Sequence, residues 1–342
     1  MTADVWLLDR FTRSWENQEI CAELGRRGYS ADIVDWEEIS PSGARDGVLR
    51  SGVPGDAPRV AVVKSRVITR RSEGELALVY DTLDALADAG TRVSNPVPAI
   101  RRCRNKVRQA ATLARAGLPI PPTRAIRSQD ELEACLATWG EVVLKPIWGH
   151  ASIDVHRLRP NGRLADPGSL LGIREEIVSW HLLEQHRQLC AQPYVENPGR
   201  DLRITMIGSQ VASSVFHVST SPDGSVRHFL HPLRVEPAAL TAEVSEFATA
   251  ALRALDLDFA VIDLVEGPSG PVIIEVNEGL STWSTIQGTE FDLTTTGHTV
   301  AVVDELERML SESTTASSSR PAPDLTTSAT GRPVASSTRR TS

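Results

Sequence analysis

The stretch Phe259–Asn277, FAVIDLVEGPSGPVIIEVN, constrains the fold more than any other part of the chain. Two apolar, β-branched runs flank a turn-forming segment. The pattern predicts strands over Ala260–Val265 and Val272–Val276, joined through Glu266–Gly270. Val272, Ile273, Ile274 and Val276 read as buried on both faces, yet the same hairpin carries Asp263, Glu275 and Asn277. Side chains alternate along a strand, so Glu275 and Asn277 share a face. A register pairing odd positions with odd ones puts Asp263 on that face too, opposite or diagonal to Glu275. Two carboxylates and an amide oxygen on one patch of an apolar hairpin are costly unless a cation joins them. Such an all-oxygen set suits Mg²⁺, with water and phosphate oxygens completing the shell.

The rest of the chain gives this hairpin a setting. Val5–Leu8, Ala31–Val34 and Val60–Val63 read as strands. Helices at Asn17–Arg27 and Leu76–Ala89 separate them, so the first hundred residues predict a small α/β unit with a parallel sheet. Pro41–Pro58, rich in Pro, Gly, Ser and Asp, reads as a loop. Helices follow at Asn105–Ala116 and Asp130–Thr138, with a strand at Val142–Lys145. From Leu189 the pattern turns to strands: Ala191–Val195, Leu202–Ile207 and Val211–Phe216, the last two joined by a hairpin turn at Gly208–Gln210. Helix Thr241–Leu255 precedes the metal-type hairpin, and Val300–Leu310 is the final helix. The Ser/Thr-rich remainder has almost nothing apolar to bury and predicts a disordered tail. The expected division is 1–100, 101–188, 189–310 and a tail over 311–342, in an α/β (α+β) chain.

Composition excludes several classes. A net charge of −8 gives no electrostatic support for a nucleic-acid surface. The longest apolar runs fall far short of the roughly 20 residues of a membrane span. The N-terminal MTADVWLLDRFTRSW has no continuous apolar stretch, so a signal peptide is not expected. Cys21, Cys103, Cys135 and Cys190 are scattered without a CxxC pair, which suits a reducing cytoplasm rather than a zinc site or a disulfide framework. Only three of the 36 basic residues are lysines: Lys64, Lys106 and Lys145. Where arginine is the default cation, a lysine suggests a point-charge contact with phosphate.

The hairpin, in its D-L-V-E-G-P-x-G-P-V-I-I-E-V-N form, resembles the metal-binding end of the ATP-grasp fold, and most of all RimK-like amino-acid ligases. Further segments match in the same order: Asn105–Lys106, V-V-L-K-P ending on Lys145, and Gln192–Arg203, Q-P-Y-V-E-N-P-G-R-D-L-R. The likeness covers roughly Arg101 to Leu310, behind an N-terminal α/β (pre-ATP-grasp) domain that matches only in pattern. It implies an ADP-forming carboxylate–amine ligase using ATP and Mg²⁺, with Mn²⁺ as an alternative metal. The γ-phosphate would pass to a carboxylate, and an amine would attack the acyl phosphate. The resemblance assigns Asp263, Glu275 and Asn277 to the metal, and Lys106 and Lys145 to the phosphates. Gln192, Pro193, Tyr194 and Val195 would hold the adenine, and Asp201 would lie near ribose or phosphates. Arg203, Lys145 and Arg234 would stabilise the transferring charge.

Partners implied are small acids with amino-acid or peptide substrates, a carrier protein or precursor peptide as acceptor, and association into homo-oligomers. A kinase, a ligase cross-linking a precursor peptide and a non-catalytic nucleotide-binding protein are the competing readings. The chain also departs from the family's pattern. The loop W-G-H-A-S-I-D-V has Gly149 as its sole glycine, with Ser152 and Asp154 where glycines are common. Pro193 replaces a common glutamate, and Phe229 lies near a usual asparagine. His150, His217, His228, His231 and Trp283 are weaker candidates for meeting substrate. Lys64 and Arg66 follow a strand at the carboxyl end of the predicted parallel sheet and are candidates for binding a carboxylate.

Overall fold

Strands without polar alternation must be covered on both faces, and the first sheet of this computed structural model shows it. The structure describes residues 3–41, 48–50, 53–54, 57–68, 73–149, 152–159, 175–219, 233–280 and 297–318. The N-terminal unit runs β1 (Val5–Asp9), α1 (Trp15–Arg26), β2 (Ala31–Asp35), β3 (Ile39–Pro41), β4 (Val48–Arg50), β5 (Val53–Pro54), β6 (Val60–Val63), α2 (Ser65–Ile68), α3 (Glu73–Asp88) and β7 (Arg92–Ser94). Its parallel sheet has the order β2-β1-β6-β7. Trp6, Leu8, Ala61 and Val63 pack on α3, while Val5, Leu7, Val60 and Val62 pack on α1. Ser14 caps α1 by accepting from Asn17 N–H, and Gly28, at φ +88°, lets the chain leave it. The expected loop at Pro41–Pro58 instead holds part of a small antiparallel sheet, β3-β4-β5. Its strands are too short for a period to show, and burial of Ile39 and Val48 under α3 decides them.

The middle section comprises α4 (Val97–Arg104), α5 (Lys106–Arg115), β8 (Arg124–Ile126), α6 (Gln129–Trp139), β9 (Val142–Pro146), β10 (His156–Leu158), α7 (Glu175–His186) and β11 (Leu189–Pro193). Asn105, in extended conformation, ends α4 and starts α5, its side chain accepting from Arg108 N–H at 2.9 Å. The sheet order is β10-β9-β11-β8. Leu189–Pro193 is therefore a strand of this sheet, paired antiparallel with β9 and β8, although the sequence reading set it at the head of the C-terminal section.

The last section holds β12 (Arg200–Ile207), β13 (Gln210–Ser219), β14 (Leu233–Pro237), α8 (Ala242–Leu255), β15 (Phe259–Gly267), β16 (Gly270–Glu278) and α9 (His298–Ser318). Its sheet is antiparallel throughout, in the order β14-β13-β12-β15-β16. Leu202, Ile204, Met206, Ala260, Ile262 and Leu264 pack on α8 and the helices before it. The alternate residues face the other way, and the candidate site forms there. Helix α9 touches the end of this sheet at Ile207 and Phe259. Val302, Val303, Leu306, Met309 and Leu310 pack there and against β1, β6 and α1 of the first unit. It also continues to Ser318, so Ser311–Ser318 is helical where a disordered tail was expected. A Ser311 Oγ bond to Glu307 O supports that extension. The readings placed on His150, His228, Phe229, His231, Trp283 and the chain after Ser318 lie outside the described residues.

Candidate active site

The hairpin reaches its polar face by a bulge. Beside the turn Gly267 pairs with Gly270, and Leu264 pairs with Ile273, a register that puts odd residues opposite even ones. Continued unchanged, it would set Asp263 against an isoleucine. The register shifts between Asp263 and Leu264, so Asp263 pairs with Glu275 and Val261 with Asn277. The extra residue on β16 also explains its burial. Ile273 and Val276, three positions apart, both join the core, while Glu275 and Asn277 keep the polar face. Ile274 and Val272 are only half-buried, less than their apolar character suggests, because β16 is the sheet's edge. The expected five-residue turn is a two-residue one, and the bulge restores the odd-with-odd pairing.

Three cations meet this face. Arg203, directly opposite Asp263 on β12, donates Nε–H to Oδ1 at 2.7 Å and a terminal N–H to Oδ2 at 2.9 Å. Burial opposes the Arg203 charge, but the adjoining Asp263 carboxylate holds its pKa above the ordinary value. Asn277 Nδ2 donates to Asp263 Oδ2 at 3.1 Å. Lys106, the first residue of α5, pairs its ammonium with Glu275 Oε1 and also reaches Gly149 O at 3.2 Å. Lys145, on β9, is buried opposite Cys190 of β11. Burial depresses its pKa, Lys106 adds to that, and the Cys190 and Glu275 groups oppose it. Among the described residues no hydrogen bond or ion pair reaches its ammonium. A buried cation in that state favours an incoming anion.

The donor set fits a hard divalent cation. No three His, Cys, Asp or Glu cluster as metal ligands among the described residues. Asp263, Glu275 and Asn277 supply two carboxylates and an amide on one face, now neutralised by the chain's own cations. Along the adjoining segment, Tyr194 N–H donates to Glu141 O at 2.9 Å, and Val195 O accepts from Asn197 at 3.0 Å. Among the described residues no hydrogen bond engages the Tyr194 carbonyl or the Val195 N–H. Arg157, bound to Glu141, lies 3.3 Å over the Tyr194 ring. Gln192 donates to Thr123 Oγ1 at 2.8 Å. Asp201 is buried beside His217, with Nδ1 3.3 Å from Oδ1.

Residues 103–295, more than half of the chain, match the RimK-like ATP-grasp domain. The chain belongs to the RimK-like ATP-grasp family. It is 33% identical over 190 residues to a tetrahydromethanopterin:alpha-L-glutamate ligase of Methanosarcina acetivorans, spanning 55% of this chain and 58% of that ligase. It is 27% identical over 279 residues to N-acetylaspartylglutamate synthase A of Mus musculus, spanning 78% and 69%. Among solved structures it is similar to D-cycloserine synthetase DcsG, with a TM-score of 0.64, 21% identity, and 89% and 99% coverage. It is also similar to ATP-grasp ligase PsnB complexed with a precursor variant, Mg and ADP, with a TM-score of 0.63, 18% identity, and 90% and 99% coverage. At those identities the likeness is one of fold.

Within this RimK-like frame, the glycine-poor loop has a glycine-like backbone. Ser152 and Asp154 adopt positive φ of 55° and 58°, the left-handed region glycine favours. Asp154 is bonded to His186 Nε2 at 2.9 Å, which engages its carboxylate on α7. Arg234 is not brought to the group. It pairs across β13 with Val218, in line with Arg200, which puts it on the opposite face from Asp201 and Arg203. It is exposed and bonded to Glu236 at 2.7 Å. Lys64 lies at the carboxyl end of β6 as expected, but its partner there is the chain's own Glu16.

Two site-adjacent groups escaped the sequence reading. Arg104 and Glu278 form a buried ion pair on the core side, one residue from Asn105 and Asn277 respectively. Gln109, buried on α5, reaches the backbone of β16. Its spacing of three from Lys106 was the one available signal, since it places both on one side of the helix.

Proposed function

We propose that this chain is an ATP-dependent carboxylate–amine ligase that forms an amide through an acyl phosphate, releasing ADP and phosphate. The observation carrying the reading is the convergence of Lys106, Lys145 and Arg203 with Asp263, Glu275 and Asn277, within a RimK-like ATP-grasp domain. When bound, Mg²⁺ supplies charge neutralisation on the phosphates, and Asp263, Glu275 and Asn277 would hold it. Lys145 meets the triphosphate as the ammonium to which no described residue bonds. Lys106 exchanges Glu275 for phosphate oxygen, and Arg203 neutralises charge on the transferring phosphoryl group. The Val195 N–H and the Tyr194 carbonyl receive the base. The carboxylate substrate attacks the γ-phosphorus and ADP leaves. The amine then attacks the acyl carbon, and phosphate departs.

The relatives' names make L-glutamate the first amine to test. Acceptors carried on a peptide or a carrier protein, Mn²⁺ in place of Mg²⁺, self-association and a cytoplasmic setting belong to the same reading. No helix among the described residues is long and apolar enough to cross a membrane. The test is ADP and AMP release from Mg-ATP with pooled amino acids and a small-molecule extract. ADP that depends on substrate and is lost in Lys145→Met supports the ligase; AMP overturns the acyl-phosphate route.

A further inference from the structure

β16 is the edge strand of its sheet, so its outward backbone groups need partners from elsewhere. At Val276 the partner is a side chain. Gln109 Oε1 accepts from Val276 N–H at 3.0 Å, while Gln109 Nε2 donates to Val276 O at 2.6 Å and to Cys103 O at 2.7 Å. The amide thus stands in for a neighbouring strand, matching both donor and acceptor of one residue. Gln109 is only 4% exposed, and water has little access to replace it. Val276 is the residue between Glu275 and Asn277, and it lies just past the bulge that sets their face. Gln109 itself lies one helical turn beyond Lys106, whose ammonium holds Glu275. One side chain therefore ties the helix that presents Lys106 to the strand that presents two of the three oxygen donors.

We infer that Gln109 is a positioning residue for divalent-metal binding, fixing Glu275 and Asn277 against α5. It touches neither nucleotide nor metal; it acts through the backbone of Val276. The inference rests on the reading of Asp263, Glu275 and Asn277 as metal donors. A methionine at 109 fills the space without hydrogen bonds, and a glutamate keeps the acceptor while losing the donor.

The experiment is equilibrium binding of a fluorescent ADP analogue to the full chain, titrated with Mg²⁺, for wild type, Gln109→Met and Gln109→Glu. The Mg²⁺ concentration giving half of the metal-dependent binding rises about tenfold or more in both variants, the usual effect of losing a residue that orients a ligand. Metal-free nucleotide affinity stays within about twofold, because Lys145 and the Tyr194–Val195 segment are untouched. A residue that merely supports the fold would lower the unfolding temperature and leave that Mg²⁺ midpoint unchanged. Folded variants with the wild-type midpoint, or with equal losses with and without Mg²⁺, overturn the inference. If Gln109→Met does not fold, Gln109→Glu decides alone. A wild-type chain that binds nucleotide without any Mg²⁺ dependence overturns the metal reading beneath it instead.

Discussion

At the end of the parallel sheet Lys64 meets Glu16 with side chains 2% and 5% exposed, whereas Lys106 meets Glu275 with 8% and 27%. The chemistry of the two pairs is the same, and their surroundings differ. The first is sealed between β6 and the start of α1, where neither partner can be exchanged without opening the fold. In the second, the carboxylate is open enough for another cation to take it and release the lysine. Lys145 completes the series as a buried ammonium to which no described residue bonds. Three lysines thus separate into one sealed in its ion pair, one paired with a more open carboxylate and one to which no described residue bonds.

The sharpest way to break that comparison is to remove the sealed ammonium. Lys64→Met leaves Glu16 charged in the interior and is expected to cost about 3–5 kcal/mol in denaturant unfolding. Lys64→Met with Glu16→Leu should recover most of it. An unchanged unfolding free energy in the single variant would erase the distinction between the pairs. Lys145→Met has the opposite signature: kcat/KM for ATP falls by roughly 10²–10³, while stability holds or rises. The folded pKa of Lys145 lies below its ordinary 10.5, so between the two values the unfolded chain binds more protons. Stability therefore rises with pH through that window, and the methionine variant loses that slope.

The surroundings of the sealed pair give the next effect. His298 is buried, and among the described residues neither ring nitrogen is hydrogen-bonded; burial pulls its pKa down to about 4, with Lys64 contributing and Glu16 opposing. Above about pH 6.5 the histidine is neutral in both states and its lowered pKa costs no stability. As pH falls towards 4 the unfolded chain takes up a proton that the folded chain refuses, and on the order of 3 kcal/mol of stability is lost. His298→Leu flattens that acid limb, which unfolding curves at pH 7 and 4.5 would show. The smallest effect belongs to Arg234. As an exposed partner of Glu236 it contributes about 0–1 kcal/mol, and Arg234→Ala leaves ATP turnover unchanged. A tenfold loss of turnover would put it with Arg203 despite the register.

Much of this was legible before any fold was known. The apolar runs Val5–Leu8 and Val60–Val63 had to be buried strands, and the alternation around Glu275 and Asn277 had to share one face, because side-chain direction within a strand is a local property. The Asn105 cap and the break at Gly28 are local too, since they depend on a few dihedrals. Helix α4 was missed because its three arginines hide a short apolar stripe, Val97, Ala99, Ile100 and Cys103, that only its packing reveals.

What the sequence determined by itself was a set of candidates: the rare lysines Lys106 and Lys145, a hairpin with Asp263, Glu275 and Asn277, and Arg203 on a preceding strand. The tertiary structure decided how they meet. A one-residue bulge, not visible in a pattern of period two, turned Asp263 to Glu275. Cross-strand pairing carried Arg234 to the wrong face and Arg203 to the right one. Chain folding between residues far apart in sequence joined α9 to the first sheet as well as to the end of the last one, and gave each lysine a different setting. Face and cap are set within a few residues, whereas register, burial and the partner of a charge depend on segments that only folding brings together.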